Sequence, residues 1–143
     1  MAHAILIDEV RKRCLPVAIY SAGVADFSDE PPLAETSRAC LHFHTPAPKE
    51  TPTWVAKLPL ESIDRFLVME HRHAAALQNQ FGVSADRISL LGSFDPKRRG
   101  VEIPDPFFSY DEKVYRSSYL VMRDCIVEYL DTADELMRAT ATG

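Results

Sequence analysis

Two compact apolar runs, "DRFLVME" at 64–70 and "DRISLLG" at 86–92, most constrain what this chain can fold into. Runs of this length are typical of strands, and ones this continuously apolar belong to strands covered on both faces. The stretch between them, "HRHAAALQNQFG", reads as a helix that stops near Gly82. A third strand is expected in "LPVAIYSAG", with Val17, Ile19 and Tyr20 in the strand and Gly23 ending it.

Helices fill the remaining space. The opening "MAHAILIDEVRKR" places Ala2, Ile5, Leu6 and Val10 near helical spacing and gathers Arg11, Lys12 and Arg13 at the end that favours cations. It has no Ser, Thr, Asp or Asn to cap its first turn. A second helix is expected in "SDEPPLAETSRACL". Pro31 or Pro32 suits its first turn, and Leu33, Ser37, Cys40 and Leu41 form its inner face. "HFHTPAPKETPTW" reads as a loop, "PLESI" as a short helical turn and "SFDPKRRGVEIPDPFFSYD" as a long loop. The longest helix follows, with Val114, Ser118, Val121, Cys125, Tyr129, Ala133 and Leu136 as its stripe.

Alternation of helix and strand in this order implies a three-layer α/β/α fold around a small parallel sheet. One domain over residues 1–138 is expected, with 139–143 as a flexible tail. In such a fold a leading helix normally follows a strand, so a first strand is expected to be missing ahead of Met1. With an interior strand absent, its neighbours lose backbone partners, and self-association is the expected repair.

A net charge of −5 argues against a nucleic-acid surface. The short basic cluster Lys97-Arg98-Arg99 reads as a solvated turn. No apolar run is long enough to span a bilayer and no signal peptide is recognisable, so no membrane partner is expected. Cys14, Cys40 and Cys125 form neither an even set nor a Cys-x-x-Cys pair, which suits a reduced, cytoplasmic protein.

Parallel sheets place chemistry where strand ends enter helices. Three segments qualify: "SAGVADF", "MEHRH" and "GSFDPKRRGVEIPDPFF". In the last, Asp105 lies between Pro104 and Pro106 and is followed by Phe107 and Phe108. Two readings stand at this point. The prolines aim a carboxylate beside an aromatic wall, or they make a rigid turn whose phenylalanines enter the core. The pairs His42/His44 and His71/His73 lack further ligands at a metal-binding spacing, so they read as surface histidines, and neither metal nor cofactor is expected. Six residues beyond the three cysteines stand Tyr20, Pro46 and Asp131, so none opens a Cys-x5-Arg phosphate loop.

"RISLLGSFDPKRRGVEIPDPFFSYDEKVYRSSYLVMRDCIVEYL" resembles the C-terminal half of low-molecular-weight protein tyrosine phosphatases. "IYSAGVADF", "SIDRFLVME" and "MAHAIL" are similar to further segments of that family. The resemblance implies hydrolysis of phosphotyrosine or aryl phosphates through a cysteinyl-phosphate. It implies Asp105 as the general acid, Phe27, Phe107 and Phe108 as substrate-lining aromatics, and Asp95 as a loop-bracing carboxylate. Phosphotyrosine proteins, aryl phosphates and phosphate-like anions are the implied partners. The family's nucleophilic Cys and phosphate-binding Arg have no counterpart in these residues, so the 143-residue chain alone is expected to be inactive. A catalytically dead binding domain is the alternative. An arsenate reductase relative needs two more cysteines, and none lies between Cys40 and Cys125. The region around Trp54 has no recognisable counterpart in the family.

Overall fold

The computed structural model describes residues 1–26, 33–49 and 51–141. Phe27, Pro31 and Pro32 lie outside the described residues, as do the side chains of Phe108 and of residues 136–141. The elements run α1 (Ala2–Lys12), α2 (Ala34–His42), β1 (Phe66–Val68), α3 (His71–Phe81), β2 (Ile88–Leu90) and α4 (Glu112–Ala141). Short 3-10 turns lie between them, among them Leu60–Ser62 within "PLESI".

β1 and β2 pair in parallel, with Phe66 opposite Ile88, Leu67 opposite Ser89 and Val68 opposite Leu90. The strand period sorts β1 between two cores. Phe66 and Val68 pack with Leu77, Val83 and Leu90 on the α3 side. Leu67 and Met69 pack against the other core, built from α1, α2 and α4 with Ile5, Cys40, Tyr119 and Ile126. Both faces of the sheet are thus covered by helices, which is why its strands carry no polar alternation. Arg87 strengthens the α3 side. Its guanidinium donates to the carbonyls of Leu60 and Ile63 and lies 5.3 Å from the Phe66 ring centroid.

The expected third strand at 17–20 is not formed. An extended segment becomes a strand only when its backbone groups find a partner. Among the described residues, 15–22 carry no ladder bonds, and the nearest parallel contact is an isolated bridge between Gly23 and Trp54. Ile19 still packs on the core, whereas Val17 and Tyr20 are half exposed.

Two helix faces are also rotated from expectation. On α2, Ala39 and Cys40 are buried, while Leu41 is 59% exposed and Leu33 lies at the surface. Small side chains let α2 approach α4 closely, and Leu41 points away. On α4 the buried seam is Tyr115, Tyr119, Met122, Cys125, Ile126 and Leu130, and Val114 is exposed. The phase follows the tyrosines. Tyr119 stacks on Phe43 at 4.4 Å and its hydroxyl shares a hydrogen bond with buried Thr45. Val121 and Tyr129 flank this seam, and the Leu136 side chain lies outside the described residues.

α1 and α2 end in matching turns. Leu15 N–H donates to Val10 and Cys14 N–H to Arg11. Likewise Thr45 N–H donates to Cys40 and His44 N–H to Leu41. This Schellman geometry demands a left-handed residue, and Cys14 (φ 55°) and His44 (φ 59°) take that place.

Candidate active site

"SAGVADF", which follows no formed strand, and the segments that follow β1 and β2 all contribute to a cleft of about 200 Å³. Ser21 comes from the first, Met69 and His73 from the second, and Ile103, Asp105 and Pro106 from the third. The first turn of α1 adds Met1, Ala2 and His3, while Thr36 of α2 and Met122 of α4 complete the wall. Parallel strands and helix starts aimed at one end give this convergence.

Asp105 lies at the surface of the cleft, and its Oδ1 accepts the Phe107 N–H at 3.0 Å. It thereby caps the short 3-10 turn Pro106–Phe108, whose first residue is a proline with no N–H to satisfy. Three hydrogen bonds, beside an exposed ion pair of Arg99 with Glu128, fasten the loop that carries it. Gly100 N–H donates to the Gly92 carbonyl at 2.9 Å, and Ile103 N–H to the Met69 carbonyl at 3.0 Å. The Glu102 carboxylate accepts the His71 N–H at 2.6 Å.

Beside the cleft, Arg72 makes a two-pronged contact with Glu70, at 2.9 Å on each oxygen. Hydrogen bonding to Arg72 holds the Glu70 carboxyl below its ordinary range. The same contact raises Arg72, with smaller attractions from Asp105 and Glu102. His73 Nε2 stands 4.0 Å from Glu70.

The other residues expected at the site are distributed differently. Phe107 is 51% exposed and does not line the cleft. Phe27 and the Phe108 side chain lie outside the described residues. Asp95 does not line the cleft; it is buried and accepts the N–H groups of Lys97 (2.8 Å) and Arg98 (3.1 Å) of its own loop, contacts of the kind a loop-bracing carboxylate makes. The Lys97 bond is the main cause of its lowered pKa.

The three cysteines are unpaired, and none lines the cleft. Burial raises the Cys40 thiol and pushes Cys125 up to about 11, so both stay protonated at neutral pH. Ser21 and His73 lie in segments that the sequence marks, and His73, expected as a surface histidine, lines the cleft because it sits in the first turn of α3; His3 and Thr36 are cleft residues that sequence patterning does not single out. Position at a strand end was the available signal for Ser21 and His73, whereas His3 and Thr36 arrive only through helix packing.

A doubly covered parallel sheet with its cleft at the strand ends is the arrangement of an open-sheet α/β protein with its site at the carboxyl ends of the strands. The family model described as low molecular weight phosphotyrosine protein phosphatase matches residues 1–139, and the chain belongs to that family. Solved structures share its fold. A mutant of YwlE from Bacillus subtilis superposes with a TM-score of 0.82 at 21% identity, covering 93% of this chain and 88% of that one. A low molecular weight phosphotyrosine phosphatase from Vibrio cholerae O395 gives 0.81 at 19% identity, over 94% and 88%. The YwlE arginine phosphatase from Geobacillus stearothermophilus gives 0.82 at 20% identity, over 96% and 86%. No curated protein matches the chain. Among the described residues, no helix is long and apolar enough to cross a membrane.

Proposed function

We propose that this chain presents the general-acid side of an aryl-phosphate site, with Asp105 as its proton donor. The observation that carries the reading is that Asp105 lines a cleft to which the segments after β1 and β2 and the "SAGVADF" segment all contribute. In the family reaction a thiolate attacks phosphorus, the bond to the aryl oxygen breaks, and a cysteinyl-phosphate forms. Asp105 protonates the departing oxygen and, as a carboxylate, then takes a proton from the water that hydrolyses the intermediate. Pro104 and Pro106 restrict the backbone on either side of it and support a fixed aim.

The thiolate and arginine of a Cys-x5-Arg loop are not among these 143 residues. These residues by themselves are therefore expected not to turn aryl phosphates over, and any binding of them or of phosphate-like anions rests on the cleft beside Asp105. Phosphotyrosine-bearing proteins are the corresponding partners. Three unpaired cysteines agree with a reduced, cytoplasmic setting. The segment 17–22, which carries no ladder bonds and leaves Val17 and Tyr20 half exposed, supports self-association.

Titration of the 15N-labelled 143-residue protein with phenyl phosphate tests the reading. Amide shifts are expected at His3, Ser21, His73 and Asp105, with no release of p-nitrophenol from p-nitrophenyl phosphate. Turnover that a Cys→Ser substitution abolishes would overturn the non-catalytic reading, and absence of shifts in the cleft would overturn the site. Phosphoarginine belongs in the same titration, because one structural neighbour is an arginine phosphatase. Tighter binding of phosphoarginine would replace the aryl substrate class.

A further inference from the structure

We infer that Glu102 is the positioning residue of this site: its carboxylate caps α3 and thereby holds Asp105 over the cleft. The inference rests on the reading of Asp105 given above. A helix begins with N–H groups that have no partner within it, and the residue just before α3 is Glu70. The Glu70 side chain makes no cap, because both of its oxygens are engaged by Arg72. The cap arrives instead from 31 residues away, where Glu102 Oε1 accepts the His71 N–H at 2.6 Å. A carboxylate is also favoured there by the positive end of the helix dipole.

Only Ile103 and Pro104 separate Glu102 from Asp105. Ile103 is buried and donates its N–H to the Met69 carbonyl, and Pro104 has a fixed φ. Little torsional freedom remains between the cap and the acid. Of these ties the Glu102 bond is the one made by a side chain, so it can be removed without altering the backbone. Met69 and His73, on either side of the α3 start that Glu102 caps, line the cleft, so the bond couples the acid loop to that wall.

The test uses the full 143-residue protein, with Glu102→Ala and Glu102→Gln compared with wild type. Two amides report directly: Ile103 through its exchange rate, and Phe107 through its shift, because its N–H lies on Asp105 Oδ1. In Glu102→Ala the Ile103 amide is expected to exchange on the order of tenfold faster, and phenyl phosphate to bind about fivefold more weakly. Phe107 moves toward a solvent-exposed shift. Glu102→Gln keeps an acceptor and restores all three readouts to within about twofold of wild type. Native Ile103 exchange and a native Phe107 shift in Glu102→Ala overturn the inference, as does a Gln variant that behaves like Ala. If Glu102→Ala does not fold, Glu102→Asp decides: its shorter side chain must free Ile103, and native protection refutes the anchor. Failure of wild type to bind phenyl phosphate refutes the Asp105 reading instead, while the two amides still judge the anchor.

Discussion

Gly92→Ala puts a methyl group where there is no room. An ideal Cβ at Gly92 lies 1.7 Å from the Val101 carbonyl oxygen and 2.9 Å from its carbonyl carbon. Non-bonded carbon contacts settle near 3.5–4.0 Å, so one backbone must retreat by roughly 1.5 Å or more. The obstacle is main chain, and no rotamer change relieves it. Retreat of residues 100–103 breaks the Gly100–Gly92 bond and pulls Ile103 from its site beside Met69. Each lost hydrogen bond costs about 1 kcal/mol, and partial exposure of Ile103 adds about 1–2 kcal/mol. The sum over the two bonds and Ile103 is about 3–4 kcal/mol, a large share of the 5–15 kcal/mol typical of a folded domain. At about 2–4 °C per kcal/mol, the melting midpoint falls by roughly 6–16 °C. Gly82→Ala is the control. Its φ is 68°, but nothing lies within 4 Å of the added Cβ, so only the left-handed conformation is penalised, by about 1 kcal/mol. Urea and thermal melts followed by circular dichroism make the comparison. Equal losses for the two variants, or a Gly92→Ala midpoint within a few degrees of wild type, refute the steric argument.

Three further outcomes follow from local chemistry. Cys14→Gly and His44→Gly remove left-handed strain at the ends of α1 and α2, and each is expected to add about 0.5–1 kcal/mol in urea melts; a loss of stability contradicts the Schellman assignment. Asp95 has a lowered folded pKa, so its stabilising effect is present above the ordinary carboxylate value and is lost as pH falls through the folded one. Asp95→Asn should therefore destabilise at pH 7 and converge on wild type in strong acid, and a gap that persists there argues against linkage. Finally, Ellman's reagent should label the exposed Cys14 alone in the native protein and reach Cys40 and Cys125 only on unfolding. Rapid reaction of three thiols would show that the α2–α4 seam opens readily.

Much of the fold was readable because helical and strand periodicities are local. α1, α3 with its Gly82 stop, and the two covered strands lie where residue spacing puts them. Strand status at 17–20 was not readable, since it requires a hydrogen-bond partner elsewhere in the chain. The phase of α4 departs from its apolar stripe because Val114 outranks tyrosine in apolarity, yet Tyr119 has Phe43 to stack on and Thr45 to bond. At the site, the Pro-Asp-Pro sequence drew attention to Asp105 directly, while His3 and Thr36 carried no mark that distinguishes a cleft residue from a surface one.

By itself the sequence determined the layer order, the strand ends at which a site belongs, and the motifs that mark the family. Each is set by neighbours in the chain or by short spacing. Only the tertiary structure decided which residues meet: the two cores divided by β1, the Gly92–Val101 contact, and the reach of Glu102 to the start of α3. Those contacts join residues far apart in sequence, and their strength depends on geometry that no local pattern encodes.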